Sequence, residues 1–210
     1  MSSHLVRGVP LPDQVAGHRA LELCNTRAGW GEPSPKEYLR DFTALALWTG
    51  DVGLLPAAGV DALLVAATDD PAGAEREVEA VRMLRDDLYA LISDPGRAPA
   101  VAGSLHEGLV EAVAAATYVV PRGDAGAWRL TAGDLAPGLA AARHATVLAI
   151  HDLVTEWGPG AVGVCPGHGC GWVFLDPPGR RRWCTMAICG NRAKARRYAT
   201  RRRGAPSPTA

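Results

Sequence analysis

Through the first three quarters of the chain, apolar residues recur at three- and four-residue steps in blocks set apart by Gly, Pro and Asp, the periodicity of packed helices. The cleanest block is 73–93, where Val78, Val81, Leu84, Leu88 and Leu91 fall on one stripe and acidic residues gather early in the run. A helix patterned in this way buries one face. Residues 34–49 predict another helix, opened by Ser34 and Pro35 in cap positions and carrying Tyr38, Leu39, Phe42, Leu45, Ala46 and Trp48 at helical spacing. Shorter helices are expected over 57–67 and 104–116, and a long apolar one over 135–157. Between the last two, TYVVPRGDAGAWRLT (117–131) reads as two short strands around a Pro/Gly/Asp turn.

At GPGAVG (158–163) the pattern breaks, and this Gly/Pro stretch is the expected domain boundary. The fold class that follows is a mainly α (α+β) amino-terminal domain with a short β-hairpin over 1–158, then a small module over 159–204 ending in a basic helix, then a disordered tail over 205–210. A chain of 210 residues with 48% apolar content can build one sizeable core. The module of about 45 residues is too small to fold on apolar contacts alone. No run of 18 apolar residues is present, so no membrane partner is expected.

What holds the small module is visible in its cysteines. Cys165 and Cys170 enclose four residues, Cys184 and Cys189 enclose four more, and thirteen residues separate the inner pair. Two short thiolate loops brought together supply a closed tetrahedral shell for zinc, a borderline-soft ion. Two disulfides, or four buried free thiols, are the competing readings. The opening MSSHLVRGVPLPDQ carries no apolar signal segment and gives no sign of an oxidising compartment. His168, inside the first loop, is the alternative ligand in place of Cys165 or Cys170; Cys24 stands alone upstream and reads as a buried thiol.

Charge divides the chain at the same place. The formal net charge is zero, yet all 22 acidic residues lie at or before Asp176, so that 1–176 carries −10 and 177–210 carries +10. Arginine outnumbers lysine twenty to two, a compositional bias, so weight rests on where the arginines stand rather than on their number. Ten cations beyond Asp176 point to an anionic partner, nucleic acid first among them. The alternative is that the basic end docks on its own acidic domain.

The segment WCTMAICGNRAKARR (183–197) resembles the CGNR zinc finger, whose four naming residues are here Cys189, Gly190, Asn191 and Arg192. WVFLD before the loop and RRWC after it agree, whereas the loop DPPGRRRWC is shorter than the family's usual Ser/Arg/Asn-rich turn. Upstream, RALELCNT (19–26) and YLRDFTALALW (38–48) are similar to the opening of ABATE domains. The resemblance implies zinc as cofactor, transcription regulation under stress in a bacterial cytoplasm, near the nucleoid, and a first domain that senses a small-molecule effector. It covers nearly the whole chain, with its sharpest motifs in 165–203.

A four-thiolate shell leaves zinc no open position for water, which disfavours hydrolysis and makes the ion a folding device. Trp172, Val173, Phe174 and Trp183 are expected to pack around it, with base stacking the other role for the two tryptophans. Asn191 reads as the N-cap of a helix running from Arg192 to about Arg203, ended by Gly204 and Pro206. Arg192, Arg196 and Arg203 share one face of that helix, and Lys194, Arg197 and Arg201 lie near the opposite one. Such a helix suits a groove of duplex DNA. The candidate nucleic-acid contacts are Arg180, Arg181, Arg182, Asn191, Arg192, Lys194, Arg196, Arg197, Arg201 and Arg202, with Arg192 and Arg196 reading bases and 201–203 following phosphates.

The first domain shows no phosphate loop, no GxSxG elbow and no HExxH, and its histidines are scattered, so no catalytic residue is assigned. Asn25 and Thr26 follow an apolar alternating run, where they cap it or line a ligand cleft. The reading is a DNA-binding regulator with a helical sensor or homodimerisation domain. An RNA-binding or ribosome-associated zinc protein, and an enzyme whose pocket lies in the first domain, are the alternatives.

Overall fold

The structure, a computed structural model, describes residues 2–94, 96, 98–119, 129–131 and 138–204; the side chains of 98–100, 118–119, 129–131, 159 and 201–204 fall outside that description. In chain order the elements are β1 (Ser3–Val6), β2 (Val9–Pro12), α1 (Arg19–Asn25), β3 (Arg27–Ala28), β4 (Lys36–Glu37), α2 (Phe42–Asp51), α3 (Ala57–Asp69) and α4 (Pro71–Ser93). There follow α5 (Ala98–Ala115), β5 (Thr117–Val119), β6 (Arg129–Thr131), α6 (Ala141–Glu156), β7 (Val162–Val164), β8 (Val173–Leu175) and α7 (Asn191–Gly204). Among the described residues the strands pair only as antiparallel two-stranded ribbons, β1 with β2, β3 with β4, β5 with β6 and β7 with β8.

The mainly helical class is therefore as expected. The stripe over 73–93 becomes α4, with Val78, Val81, Leu84 and Leu88 buried and Pro71 in its first turn. Asp70 caps it, accepting from the Gly73 N–H at 2.8 Å. The expected helix over 34–49 starts later than its periodicity suggests. Asp41 accepts from the Ala44 N–H at 2.8 Å and fixes the start of α2 at Phe42. Upstream of that cap the chain is extended: Arg27 and Ala28 pair with Glu37 and Lys36, and Tyr38 and Leu39 are buried from a loop. Apolar spacing that matched a helix was here the spacing of two separate elements.

The helix expected over 135–157 begins at Ala141, and 135–137 lie outside the described residues. The two short strands expected in 117–131 pair as β5 and β6, while their turn at 121–128 and the tail at 205–210 also lie outside. The β1–β2 hairpin was not expected, although His4-Leu5-Val6 and Val9-Pro10-Leu11 flank a two-residue turn at Arg7-Gly8. Both turn residues take positive φ, 49° and 83°. Turns of that hand match the twist of a hairpin.

At the centre lies α1, whose residues Ala20 to Asn25 are all buried, in contact with α4, α6 and β8. A helix enclosed on all sides has no polar stripe, which is why RALELCN carries no amphipathic signal. Arg143 of α6 braces the periphery, bonding Glu77 of α4 at 2.9 Å and Glu111 of α5 at 2.6 Å.

Glu22 of α1 secures the segment just before it. Its Oε1 accepts from the Ala16 N–H at 2.7 Å, and its Oε2 has no hydrogen-bond partner among the described residues. Burial raises this carboxyl above its ordinary 4.5, against the opposing pull of the Ala16 N–H. A carboxyl with a raised folded pKa favours folding while protonated, and that contribution is lost as pH rises from the unfolded value through the folded one. The Glu22→Gln variant is expected to escape this loss. Its Tm, relative to wild type, should rise as pH is taken from about 4.5 towards neutrality; parallel melting curves across that range would show that Glu22 does not titrate with folding.

Candidate metal centre and nucleic-acid interface

The finger is built outward from the end of α1. Asn25, fully buried, donates through Nδ2 to the Val173 carbonyl at 3.1 Å and accepts through Oδ1 from the Val173 N–H at 2.9 Å. Both backbone polar groups of one residue in β8 are thus satisfied by one side chain. Val173 itself belongs to the main apolar core, while its neighbours Trp172 and Phe174 face the cysteines. The Trp172 indole donates to the Arg27 carbonyl at 3.1 Å, and the Gly29 N–H donates to the Cys170 carbonyl at 3.2 Å. Thr26 also turns inward, its hydroxyl donating to the Leu23 carbonyl at 2.6 Å and accepting from Arg85 at 3.3 Å. Of the two candidate ligand contacts, Asn25 joins the helical part to the finger, and the Thr26 hydroxyl is taken up inside the helical part by Leu23 and Arg85.

Gly171 makes the junction possible. Its φ is +67°, and a Cβ there would sit 2.5 Å from the Cβ of Trp30. Only glycine combines that backbone with that approach. Trp30 in turn stacks flat on Tyr89 of α4, the rings 3.6 Å apart, and donates to the Cys24 carbonyl at 3.1 Å.

On this base the four thiols converge. Cys165, Cys170, Cys184 and Cys189 place their sulfurs within 4.8 Å of one another, and all four are buried. Cys184 lies 3.7 Å from Cys170 and 3.6 Å from Cys189, sulfur to sulfur. A tetrahedral zinc ion with Zn–S bonds of about 2.3 Å requires sulfur separations of about 3.8 Å, whereas a disulfide would bring the pair to about 2.0 Å. The cluster has the size of a zinc shell. His168 is exposed and outside the sulfur cluster, so the donor set is four thiols without histidine. Crowding separates their acidities: hydrogen bonding with Cys170 pulls the Cys165 thiol down, and the same contact pushes Cys170 up.

The second pair of ligands opens the basic helix. Thr185, not Asn191, is the cap: its hydroxyl accepts from the Ile188 N–H at 3.2 Å and starts a π-helical turn over Met186–Gly190. That turn runs directly into α7, and Asn191 is already helical, its Nδ2 donating back to the Ala187 carbonyl at 3.1 Å. Gly190 serves close packing rather than a sharp turn, since a Cβ would meet the Met186 sulfur at 2.6 Å.

Of the candidate cations, Arg180, Arg181, Arg182, Arg192, Lys194, Arg196 and Arg197 are exposed. None of these seven forms an ion pair among the described residues, so the basic helix is not seen docked on acidic side chains. Arg181 differs in its contacts to backbone carbonyls. Its guanidinium donates to the Val15 carbonyl at 3.0 Å and the Cys184 carbonyl at 2.7 Å and lies over Phe174 at 4.4 Å, tying the loop to the helical part. Arg197, expected opposite Arg192, lines the same cleft as Arg192 and Arg196. The side chains of Arg201 and Arg202 lie outside the described residues. Trp172 is buried, which removes it from base stacking, whereas Trp183 is half-buried.

The family model described as "Putative stress-induced transcription regulator" (ABATE) matches residues 17–157, and that of the CGNR zinc finger matches 162–202. The chain belongs to the ABATE family. Its CGNR finger implies zinc, and the buried four-thiol donor set fits that ion. No curated protein matches the chain. No helix among the described residues is long and apolar enough to cross a membrane. Sequence reasoning missed the joining role of Asn25 and the inward turn of Arg181. The asparagine of RALELCNT had a signal, a polar residue closing a mostly apolar segment, but its partner lies 148 positions away.

Two outcomes follow from a finger whose first half shares the ABATE core. Asn25→Ala leaves the Val173 N–H and carbonyl buried and unpaired, at about 1–3 kcal/mol for each group. Tm should fall, and zinc should be lost to a competing chelator at lower chelator concentration than from wild type. Separately, stripping zinc from wild type should lower the Tm of the helical circular-dichroism signal, because metal binding energy is also folding energy. An unchanged helical Tm after complete zinc removal would mean that the finger is an independent module.

Proposed function

We propose that the protein is a DNA-binding transcription regulator in which Cys165, Cys170, Cys184 and Cys189 hold zinc and the finger carries the DNA-contacting surface. The observation that carries this reading is the exposed cationic helix α7, fixed to the metal knot through Cys189 and free of ion pairs among the described residues. In this reading Arg180 and Lys194 contact phosphates, and Arg201 and Arg202 follow the backbone further along the chain. The helical part, at a formal −10 over 1–176, repels nucleic acid. It serves as the platform that orients the finger, and effector sensing or dimerisation belongs to it.

The test is binding of the zinc-loaded protein to duplex DNA across a salt series. Log affinity should fall linearly with log salt, and Arg180→Ala and Lys194→Ala should each reduce the slope by about one. Structured RNA competing at the same salt should displace little of the protein. Preferential retention on RNA would turn the reading to an RNA-binding protein, and the absence of any salt-dependent duplex binding would end it.

A further inference from the structure

Between the first cysteine loop and α7 lies a cleft of about 440 Å³. One wall is Pro166, Gly167 and His168, the floor holds Trp183 and Cys189, and the other wall carries Arg192, Arg196 and Arg197. A helix that only rests on phosphates needs no concavity beside it. This hollow has the volume of pockets that enclose a small organic molecule, from about 300 Å³ upward. It joins an aromatic floor to a cationic wall, and the Arg182 guanidinium sits over the Trp183 ring at 5.2 Å. Four guanidiniums answer a phosphate; a half-buried indole among them answers a planar ring.

We propose that the cleft receives a single unpaired nucleotide of a DNA strand, its base on Trp183 and its phosphate against Arg192, Arg196 and Arg197. This rests on the DNA-binding reading and narrows it, from duplex in general to DNA with an exposed base. A fully paired duplex keeps its bases stacked inside and offers the cleft only phosphates. The three pieces of chain that form the cleft, 166–168, 182–183 and 192–197, are separate in sequence and meet where the four cysteines meet. The recognition surface therefore exists in the metal-loaded protein.

The experiment compares the zinc-loaded full chain on two DNAs of equal length and ionic strength, one fully paired and one with a central three-nucleotide bubble. Wild type is expected to bind the bubble about tenfold more tightly, a difference of about 1.4 kcal/mol, within reach of one base–aromatic stack. Trp183→Leu should bind the two DNAs alike, and Trp183→Phe should restore the preference, each with stoichiometric zinc confirmed by elemental analysis. Should Trp183→Leu lose zinc, Arg182→Gln, outside the ligand set, takes its place and should shrink the preference. Deoxyadenosine monophosphate should compete with the bubble more effectively than with paired duplex if the cleft takes the nucleotide unit itself. Equal wild-type affinity for bubble and paired duplex, or a preference that survives Trp183→Leu with zinc bound, overturns the proposal and leaves the DNA-binding reading standing. Failure to bind either DNA overturns both.

Discussion

The side chain of Asn25 and the peptide of Val173 meet inside the protein, and the arrangement of the finger depends on that meeting. An amide that donates to a carbonyl and accepts from the N–H of the same residue imitates one rung of a sheet. Both partners are buried, so each bond is worth less for its attraction than for the desolvation cost it averts. The Val173 side chain enters the main core while Trp172 and Phe174 turn to the thiols. One three-residue strand thus serves two interiors, and neither can shift without disturbing the other.

From that strand a chain of constraints leads to the basic helix. β8 pairs with β7, which feeds Cys165, and the Cys165 N–H donates to the Trp172 carbonyl at 2.7 Å to close the first loop. The metal then links the first loop to Cys184 and Cys189, the π-helical turn carries Cys189 into α7, and Arg181 returns from the connecting loop to Val15. A module of this size lacks the apolar area to fix a helix by packing. Here the metal and the neighbouring core divide that task, which leaves nearly all of residues 191–200 exposed.

What the sequence made legible and what it hid follow from the range of the interactions involved. The four cysteines, the stripe of α4 and the division of charge are local patterns, and each is found where it was expected. The late start of α2 escaped because Asp41 outcompetes Ser34 and Pro35 as a cap only once Lys36 and Glu37 are held in a strand pair with Arg27 and Ala28. Asn191 looked like a cap because the π-helical turn before it, with one residue more per hydrogen bond than an α-turn, has no strong sequence mark. Arg181 stands in a run of three arginines, and nothing local separates it from Arg180 and Arg182; its carbonyl partner Val15 lies 166 positions away. Long-range polar contacts to backbone atoms leave no trace in side-chain patterning.

The zinc shell also bears on the charges beside it. Four thiolates outweigh the charge of one zinc ion, so the closed site is a net anion with no open coordination position. Cys189 lies in the floor of the cleft walled by Arg192, Arg196 and Arg197. Like charges on neighbouring guanidiniums repel, and a counter-charge beside them offsets that repulsion. A buried four-thiolate shell supplies one while the three side chains remain exposed. Thiolates in place of neutral histidine ligands therefore matter beyond holding the metal: a shell containing imidazoles would be less negative and would balance the arginine cluster less well.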